Sequence, residues 1–279
     1  MRALVTGCTG SLGSALVPLL LLDGHEVVGV SRCELKQSLY PKHEKLTLYL
    51  CDVRDRDRLL EASRNVDIVF HLAAMKRIEA CEQQPEEAVS INVKGTENVL
   101  FCQRMNKIPR VVLVSTDKAC EPITSYGYTK ALAENLVLRN PNNVVVRYGN
   151  VLASRGSVVG IFKNSILERG EIEVTERRCT RFWWTLDDAA KFVYRSAQGN
   201  VGGLRIPNLR ASSVVALGKA IGGILQHPNP RIVETGFRCR EKLHETMRTD
   251  DEGGLIVSSD QSLWYSQKEL ENVLREVIA

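Results

Sequence analysis

Thr116, Asp117 and Lys118 bring a hydroxyl, an acid and an amine to the end of an apolar run, Val111-Val112-Leu113-Val114-Ser115. Tyr126 follows eight residues after Lys118, and Lys130 four residues after Tyr126. A run rich in β-branched residues reads as a buried strand, and in open α/β sheets ligands bind at the carboxyl ends of strands. An acid, an amine and a phenol delivered to one strand end suit proton transfers at more than one substrate atom. That is more than the oxidation or reduction of a single alcohol requires. On a helix, Tyr126 and Lys130 share a face. An ammonium there favours the phenolate, so Tyr126 can take a hydroxyl proton as hydride leaves the same carbon. Tyr128 is only two residues from Lys130 and is expected to face elsewhere.

Hydride transfer needs a carrier, and the first strand supplies its signature. Gly7-Cys8-Thr9-Gly10-Ser11-Leu12-Gly13 is a glycine loop between a strand and a helix. Glycines permit the tight turn and let backbone amides approach a pyrophosphate at the helix N-terminus. The end of the second strand distinguishes cofactors, because NAD sites place an acid there for the ribose hydroxyls. This chain has Ser31-Arg32 instead. Ser31 can donate a hydrogen bond and Arg32 can pair with a 2′-phosphate, which favours NADP over NAD. His71-Leu72-Ala73-Ala74 ends the fourth strand with small residues, suiting a backbone that passes a nicotinamide ribose. His71 itself reads as structural.

The elements that must hold these residues alternate. Arg2–Thr6, Glu26–Val30, Leu46–Cys51, Asp67–His71, Val111–Ser115 and Val144–Arg147 read as strands. Amphipathic stretches such as 55–63, 85–105 and 125–139 lie between them. This order predicts an α/β fold, a Rossmann-like doubly wound parallel sheet with a smaller C-terminal substrate-binding region. The dinucleotide-binding part is expected over 1–150, with 181–210 returning to it. Residues 151–180 and 211–279 are expected to form the substrate-binding region. Helices are expected at 158–168, 186–197 and 267–277, and a strand at 204–206.

Composition sets limits. The chain has 279 residues, 44% hydrophobic and 25% charged, as in an ordinary soluble protein. Its 37 basic and 33 acidic residues leave a net charge of +4, too small an excess to argue for nucleic acid. No stretch reaches the roughly 18 apolar residues of a membrane span. The eight cysteines include no CxxC pair, so neither a metal site nor a disulfide framework is expected, and a reducing cytoplasm is the simple reading.

Further segments carry a family resemblance. They include Glu34-Leu35-Lys36-Gln37, Asp52-Val53-Arg54-Asp55, Ala73-Ala74-Met75-Lys76 and Asn92-Val93-Lys94-Gly95-Thr96. Ser115-Thr116-Asp117-Lys118-Ala119, Val146-Arg147-Tyr148-Gly149-Asn150-Val151, Ser154-Arg155-Gly156-Ser157-Val158, Thr180-Arg181-Phe182-Trp183 and Glu241-Lys242-Leu243-His244-Glu245 complete the set. With the glycine loop, they make the chain resemble extended short-chain dehydrogenases/reductases. Within these it resembles the UDP-N-acetylglucosamine 4,6-dehydratases of surface-sugar pathways, in particular the soluble, C5-inverting type.

The resemblance implies roles. Tyr126 takes the C4 hydroxyl proton, Lys118 removes the C5 proton that the new ketone acidifies, and Asp117 protonates the departing C6 hydroxyl. Thr116 orders the C4 hydroxyl or its oxyanion. Lys130 holds the nicotinamide ribose, and Asp52 and Val53 meet the adenine. Lys76 and Asn92 join the cofactor set, and Lys76 also lies beside the sugar. Asn150, Arg155, Arg181, Arg238 and Glu241 are the further substrate contacts implied, the arginines for a diphosphate and Glu241 for the uridine ribose. Trp183-Trp184 reads as packing. A homo-oligomer is implied as well. Relatives acting on nucleoside diphosphoglucose carry Asp-Glu where this chain has Asp117-Lys118. The family also has Arg-Pro-Gly-Glu where this chain has Arg238-Cys239-Arg240-Glu241. A 4-epimerase or 4-reductase, or a non-catalytic NADP-binding protein, are the alternatives.

Overall fold

The computed structural model describes residues 1–278 except Ala153, Cys239, Asp250, Asp251 and 253–255. Cys239, part of the departure noted above, therefore lies outside the described residues. The chain forms two compact units, Met1–Arg147 with Ala190–Ile206, and Tyr148–Ala189 with Pro207–Ala279.

The first unit is built on a parallel sheet. Its strands are β1 (Arg2–Thr6), β2 (Glu26–Ser31), β3 (Leu46–Leu50), β4 (Ile68–His71), β5 (Arg110–Val114) and β6 (Val144–Val146), joined at one edge by Gly203–Arg205. In space β3 pairs with β2, β2 with β1, β1 with β4, β4 with β5, β5 with β6, and β6 with Gly203–Arg205. Every pairing is parallel. The order reverses between β1 and β4, the topological switch point where doubly wound sheets hold dinucleotides. Burial explains why these runs are strands. Leu4, Val28, Val69, Val111, Leu113 and Val145 are all closed into one core with Val99, Ala133 and Val137 from the covering helices.

The stretch 85–105 is one rod of three pieces. An α-helix, Pro85–Val89, passes through a π turn, Ser90–Lys94, into a second α-helix, Gly95–Met105. A π turn inserts a residue into the helical ladder and re-aims side chains. Here it buries the Asn92 side chain.

The second unit has short strands. Thr180–Trp184 pairs parallel with Asn150–Val151 and antiparallel with Arg210–Ser213. Glu171–Val174 pairs parallel with Arg231–Glu234. Its core gathers Leu152, Phe162, Ile166, Ile172, Trp183, Leu217, Ile221, Leu270 and Leu274. Trp183 thus packs, and Trp184 tilts against Tyr148 with ring centroids 5.1 Å apart. The helix Val214–Ile224 and most of these strands have no counterpart among the sequence expectations.

Candidate active site

Thr116, Asp117 and Lys118 leave β5 in a tight turn. The backbone of Thr116 is still extended, and its hydroxyl caps the single 3-10 turn Asp117–Ala119 by accepting from the Lys118 amide at 3.3 Å. The Asp117 side chain is wholly buried, at 0% exposure. Its Oδ1 accepts from the Thr116 hydroxyl at 2.8 Å and from Lys118 Nζ at 3.1 Å. Its Oδ2 accepts no hydrogen bond from any described residue. A buried carboxylate oxygen without a donor is costly to keep, and such orphans mark places where function sets the design. The pair is therefore not a solvated surface salt bridge.

Tyr126 and Lys130 stand on the helix Ser125–Leu138, which opens where Thr124 accepts from the Gly127 amide at 3.0 Å. Burial pushes the Tyr126 phenol up to about 12, while the Lys118 charge and a hydrogen bond with Thr116 pull the other way. The phenol therefore sits over the Thr116–Lys118 turn. Lys130 is 3% exposed and donates to the Val114 carbonyl at 2.7 Å. Burial lowers its ammonium to about 8, against an opposing pull from Glu134. The sequence expectation needs a correction here. The cation acting on Tyr126 is Lys118, and burial outweighs it. Gly127 makes this closeness possible. A Cβ there would lie 2.4 Å from the Lys118 carbonyl oxygen.

The glycine loop meets the requirements of a dinucleotide cradle. Gly7 has a left-handed φ of +69°, and a Cβ on Gly13 would fall 2.3 Å from the Cys8 carbonyl oxygen. No described side chain caps the helix Ser11–Leu22 that follows Gly10. Its first amides therefore face the loop that Thr9, Gly10, Ser11 and Leu12 form, as phosphate binding at a helix start requires. Ser31 closes β2 and is buried. Arg32 is mostly exposed, with its guanidinium 3.5 Å from Asp52. Burial pushes the Asp52 carboxyl up, but hydrogen bonds from Arg54 and the charges of Arg54 and Arg32 hold it below the usual carboxylate range. Val53 offers its carbonyl to Asn98 at 3.0 Å.

The end of β4 is braced from beneath. Asn92 accepts from the Met75 amide at 2.8 Å and donates to the Met75 carbonyl and to Thr129, each at 3.0 Å. Its amide, expected among the cofactor contacts, ties Met75 to Thr129 on the Tyr126 helix. Ala74 and Lys76 are exposed. His71 is fully interior. Leu72 and Ala73 amides donate to the Thr6 hydroxyl, which meets His71 Nδ1 at 2.7 Å. His71 Nε2 meets Thr96 at 3.0 Å, and Thr96 donates to the Asn92 carbonyl. Thr96 has one hydrogen and gives it away, so His71 must donate through Nε2 and accept through Nδ1. Burial holds the imidazole neutral, with its pKa down at about 3.

The remaining substrate candidates belong to the second unit. Arg181 donates to the carbonyls of Thr180 and Leu243 and to Glu241 at 3.1 Å, and lies 3.8 Å from Glu245. Glu241 also accepts from the Arg238 amide at 3.3 Å. Arg181 and Glu241, expected as ligands for diphosphate and ribose, are thus joined to each other. Arg155 and Arg238 are exposed, and Asn150 is partly buried beside Trp183. Arg240, which stands where the family has glycine, keeps a left-handed φ of +60°.

Sequence reasoning gave no role to Gln37 or Tyr40. Gln37 lies buried under Ser31, and the Tyr40 hydroxyl donates to the Cys8 carbonyl at 2.6 Å. Their contacts join loops, and no periodicity announces them.

The chain was compared with known proteins. Residues 3–264 match a family described as polysaccharide biosynthesis protein. The chain is 38% identical over 269 residues to the UDP-N-acetylglucosamine 4,6-dehydratase (inverting) of Campylobacter jejuni subsp. jejuni, covering 90% of this chain and 78% of that protein. It is also 38% identical over 266 residues to the UDP-glucose 4-epimerase of Rickettsia bellii, covering 89% and 78%. Among solved structures, Pen from Bacillus thuringiensis matches with a TM-score of 0.91 at 30% identity, over 99% of this chain and 97% of that one. Sequence and fold agree over nearly the whole length, and the chain belongs to the polysaccharide biosynthesis protein family.

Proposed function

We propose that the protein is a hydro-lyase that converts UDP-N-acetylglucosamine to a UDP-4-keto-6-deoxy sugar with inversion at C5, using NADP. The observation that carries this reading is the buried Asp117 carboxylate, with one oxygen unpartnered by described residues and Lys118 Nζ 3.1 Å from the other. A bound nicotinamide dinucleotide would supply the hydride acceptor for C4 and the hydride donor for C6. Tyr126 takes the C4 hydroxyl proton, and Thr116, within its hydrogen-bonding reach, steadies the oxygen. The C4 ketone acidifies the C5–H bond, and Lys118 removes that proton. Asp117 passes a proton to the C6 hydroxyl, which leaves as water. A proton returned to C5 from the opposite face completes the inversion.

The name of the Campylobacter relative supports this substrate and outcome. The Rickettsia relative's name supports a second reading, 4-epimerisation. Epimerisation needs Tyr126 and a cofactor but has no use for a base at C5, so the Asp117–Lys118 pair favours dehydration. Ser31 and Arg32 favour NADP over NAD. Asn150, Arg155 and Arg238 of the second unit, and Lys76 of the first, are the proposed substrate contacts. A cytoplasmic homo-oligomer follows from the resemblance, and light scattering of the purified protein checks the assembly. No described helix is long and apolar enough to cross a membrane.

Incubation with UDP-N-acetylglucosamine in deuterated water, followed by NMR, tests the reaction. A 4-keto-6-deoxy product with deuterium at C5 is expected. A C4 epimer without deuterium would establish the second reading instead.

A further inference from the structure

The segment between β2 and β3 carries a buried amide with a clear geometry. Gln37 Nε2 donates to the Tyr49 carbonyl at 2.8 Å, to Ser31 Oγ at 3.0 Å and to the Ser31 carbonyl at 3.3 Å. Carbonyl oxygens only accept, so the nitrogen end of the amide is the one turned inward. Ser31 Oγ therefore receives a hydrogen from Gln37. A serine hydroxyl has a single hydrogen and two acceptor lone pairs, and with Gln37 seated on one lone pair its hydrogen is turned away from Gln37 toward another acceptor.

Ser31 closes β2, where a dinucleotide site of this topology reads the adenosine ribose. A ribose 2′-hydroxyl can accept that hydrogen only as a neutral partner. A 2′-phosphate is rich in acceptor oxygens and gains most. Ser31 also lies near Cys8, whose thiol burial pushes up to about 11 against an opposing pull from Ser31. A thiol is a weak acceptor that a phosphate oxygen readily replaces. The same segment is fastened at its other end, where Tyr40 donates to the Cys8 carbonyl at 2.6 Å and reaches the Gly13 carbonyl at 3.4 Å. The two ends of residues 37–40 thus grip the end of β2 and the glycine loop.

We propose that Gln37 is a positioning residue that turns the Ser31 hydroxyl to donate away from itself and so tilts cofactor choice toward a 2′-phosphate. The inference rests on the NADP reading above. Its test is binding, measured by cofactor fluorescence on the full chain with NADPH and NADH. Wild type is expected to bind NADPH more tightly. Gln37→Met should reduce the NADPH-to-NADH preference about tenfold, with NADH affinity changed less than about twofold. Ser31→Ala should reduce the NADPH-to-NADH preference by a similar factor, and the double variant should fall no further, because both act through one hydroxyl. Should Gln37→Met fail to fold, Gln37→Asn, whose amide is one methylene too short to span the partners, should lose the same preference. If wild type prefers NADPH and the Gln37 variant keeps that preference, or if the two substitutions add, the role of Gln37 is overturned and the NADP reading stands. If wild type binds NADH as well as NADPH, the NADP reading falls and takes this inference with it.

Discussion

In the proposed reaction, Lys118 and Asp117 divide two proton transfers between neighbours. Lys118→Met removes the proposed C5 base while leaving the glycine loop untouched. Its turnover is expected to fall by about 10²–10⁴, with NADPH affinity within about twofold of wild type. Normal dehydration by that variant would remove Lys118 from the mechanism. Lys130 offers a different kind of test. Its folded pKa of about 8 lies below the ordinary 10.5, so keeping it charged at neutral pH opposes folding. Lys130→Met should raise stability by on the order of 1 kcal/mol while abolishing turnover, a trade expected of active-site residues. Urea unfolding beside an activity assay reads both. At this scale the sequence was informative where spacing alone places side chains, as for Tyr126 and Lys130 on one helical face. It was silent on Gln37 and Tyr40, whose partners are brought close only by folding. It also misassigned the electrostatics of Tyr126, because burial cannot be read from a spacing.

The helix Ser125–Leu138 and the turn after β5 work as one part because Gly127 lets them touch. Gly127→Ala would press a Cβ into the Lys118 carbonyl, and one of the two elements would have to shift. A stability loss of about 1–3 kcal/mol is expected, together with about a hundredfold fall in kcat. A variant with wild-type kcat would show that the contact is not needed for alignment. Arg240 poses the opposite case. It holds a left-handed backbone with a side chain attached, so Arg240→Gly should stabilise the protein by about 1 kcal/mol, read as a higher Tm. A lower Tm would mean that the arginine side chain contributes more than its backbone strain costs. Strands β1 to β6 of the first unit were legible because each is an apolar run bounded by turn residues. The short strands Glu171–Val174 and Arg231–Glu234 are half charged and were not. The helix Val214–Ile224 was hidden by glycines that read as breaks. Gly218 is there for packing, since a Cβ on it would lie 2.3 Å from Ile172.

For the first unit as a whole, His71 links stability to acidity. Its folded pKa of about 3 lies below the ordinary 6.5, so between those values the unfolded chain holds an extra proton. Its contribution is therefore complete above about pH 6.5 and is lost as pH falls toward 3, at about 1.4 kcal/mol per pH unit. Urea midpoints measured at pH 7, 6 and 5 should decline in that order, and a flat series would contradict the neutral, doubly bonded imidazole. The parallel architecture itself was legible because the alternation of strands and helices runs through the first half of the chain. The separation into two units rests on contacts far apart in sequence, such as the return of Gly203–Arg205 to β6.

The proposed base and acid are consecutive residues of one three-residue turn, capped by the threonine before them. The identity of the reaction is thus concentrated in a few adjacent codons, while the machinery for holding a dinucleotide and a sugar is spread over the rest of the gene. A lineage can then exchange one sugar chemistry for another by editing that turn, without rebuilding the scaffold. Grafting Thr116–Ala119 into an epimerase of the same architecture is the shortest laboratory version of that path, and C5 deuterium exchange would be its first visible step.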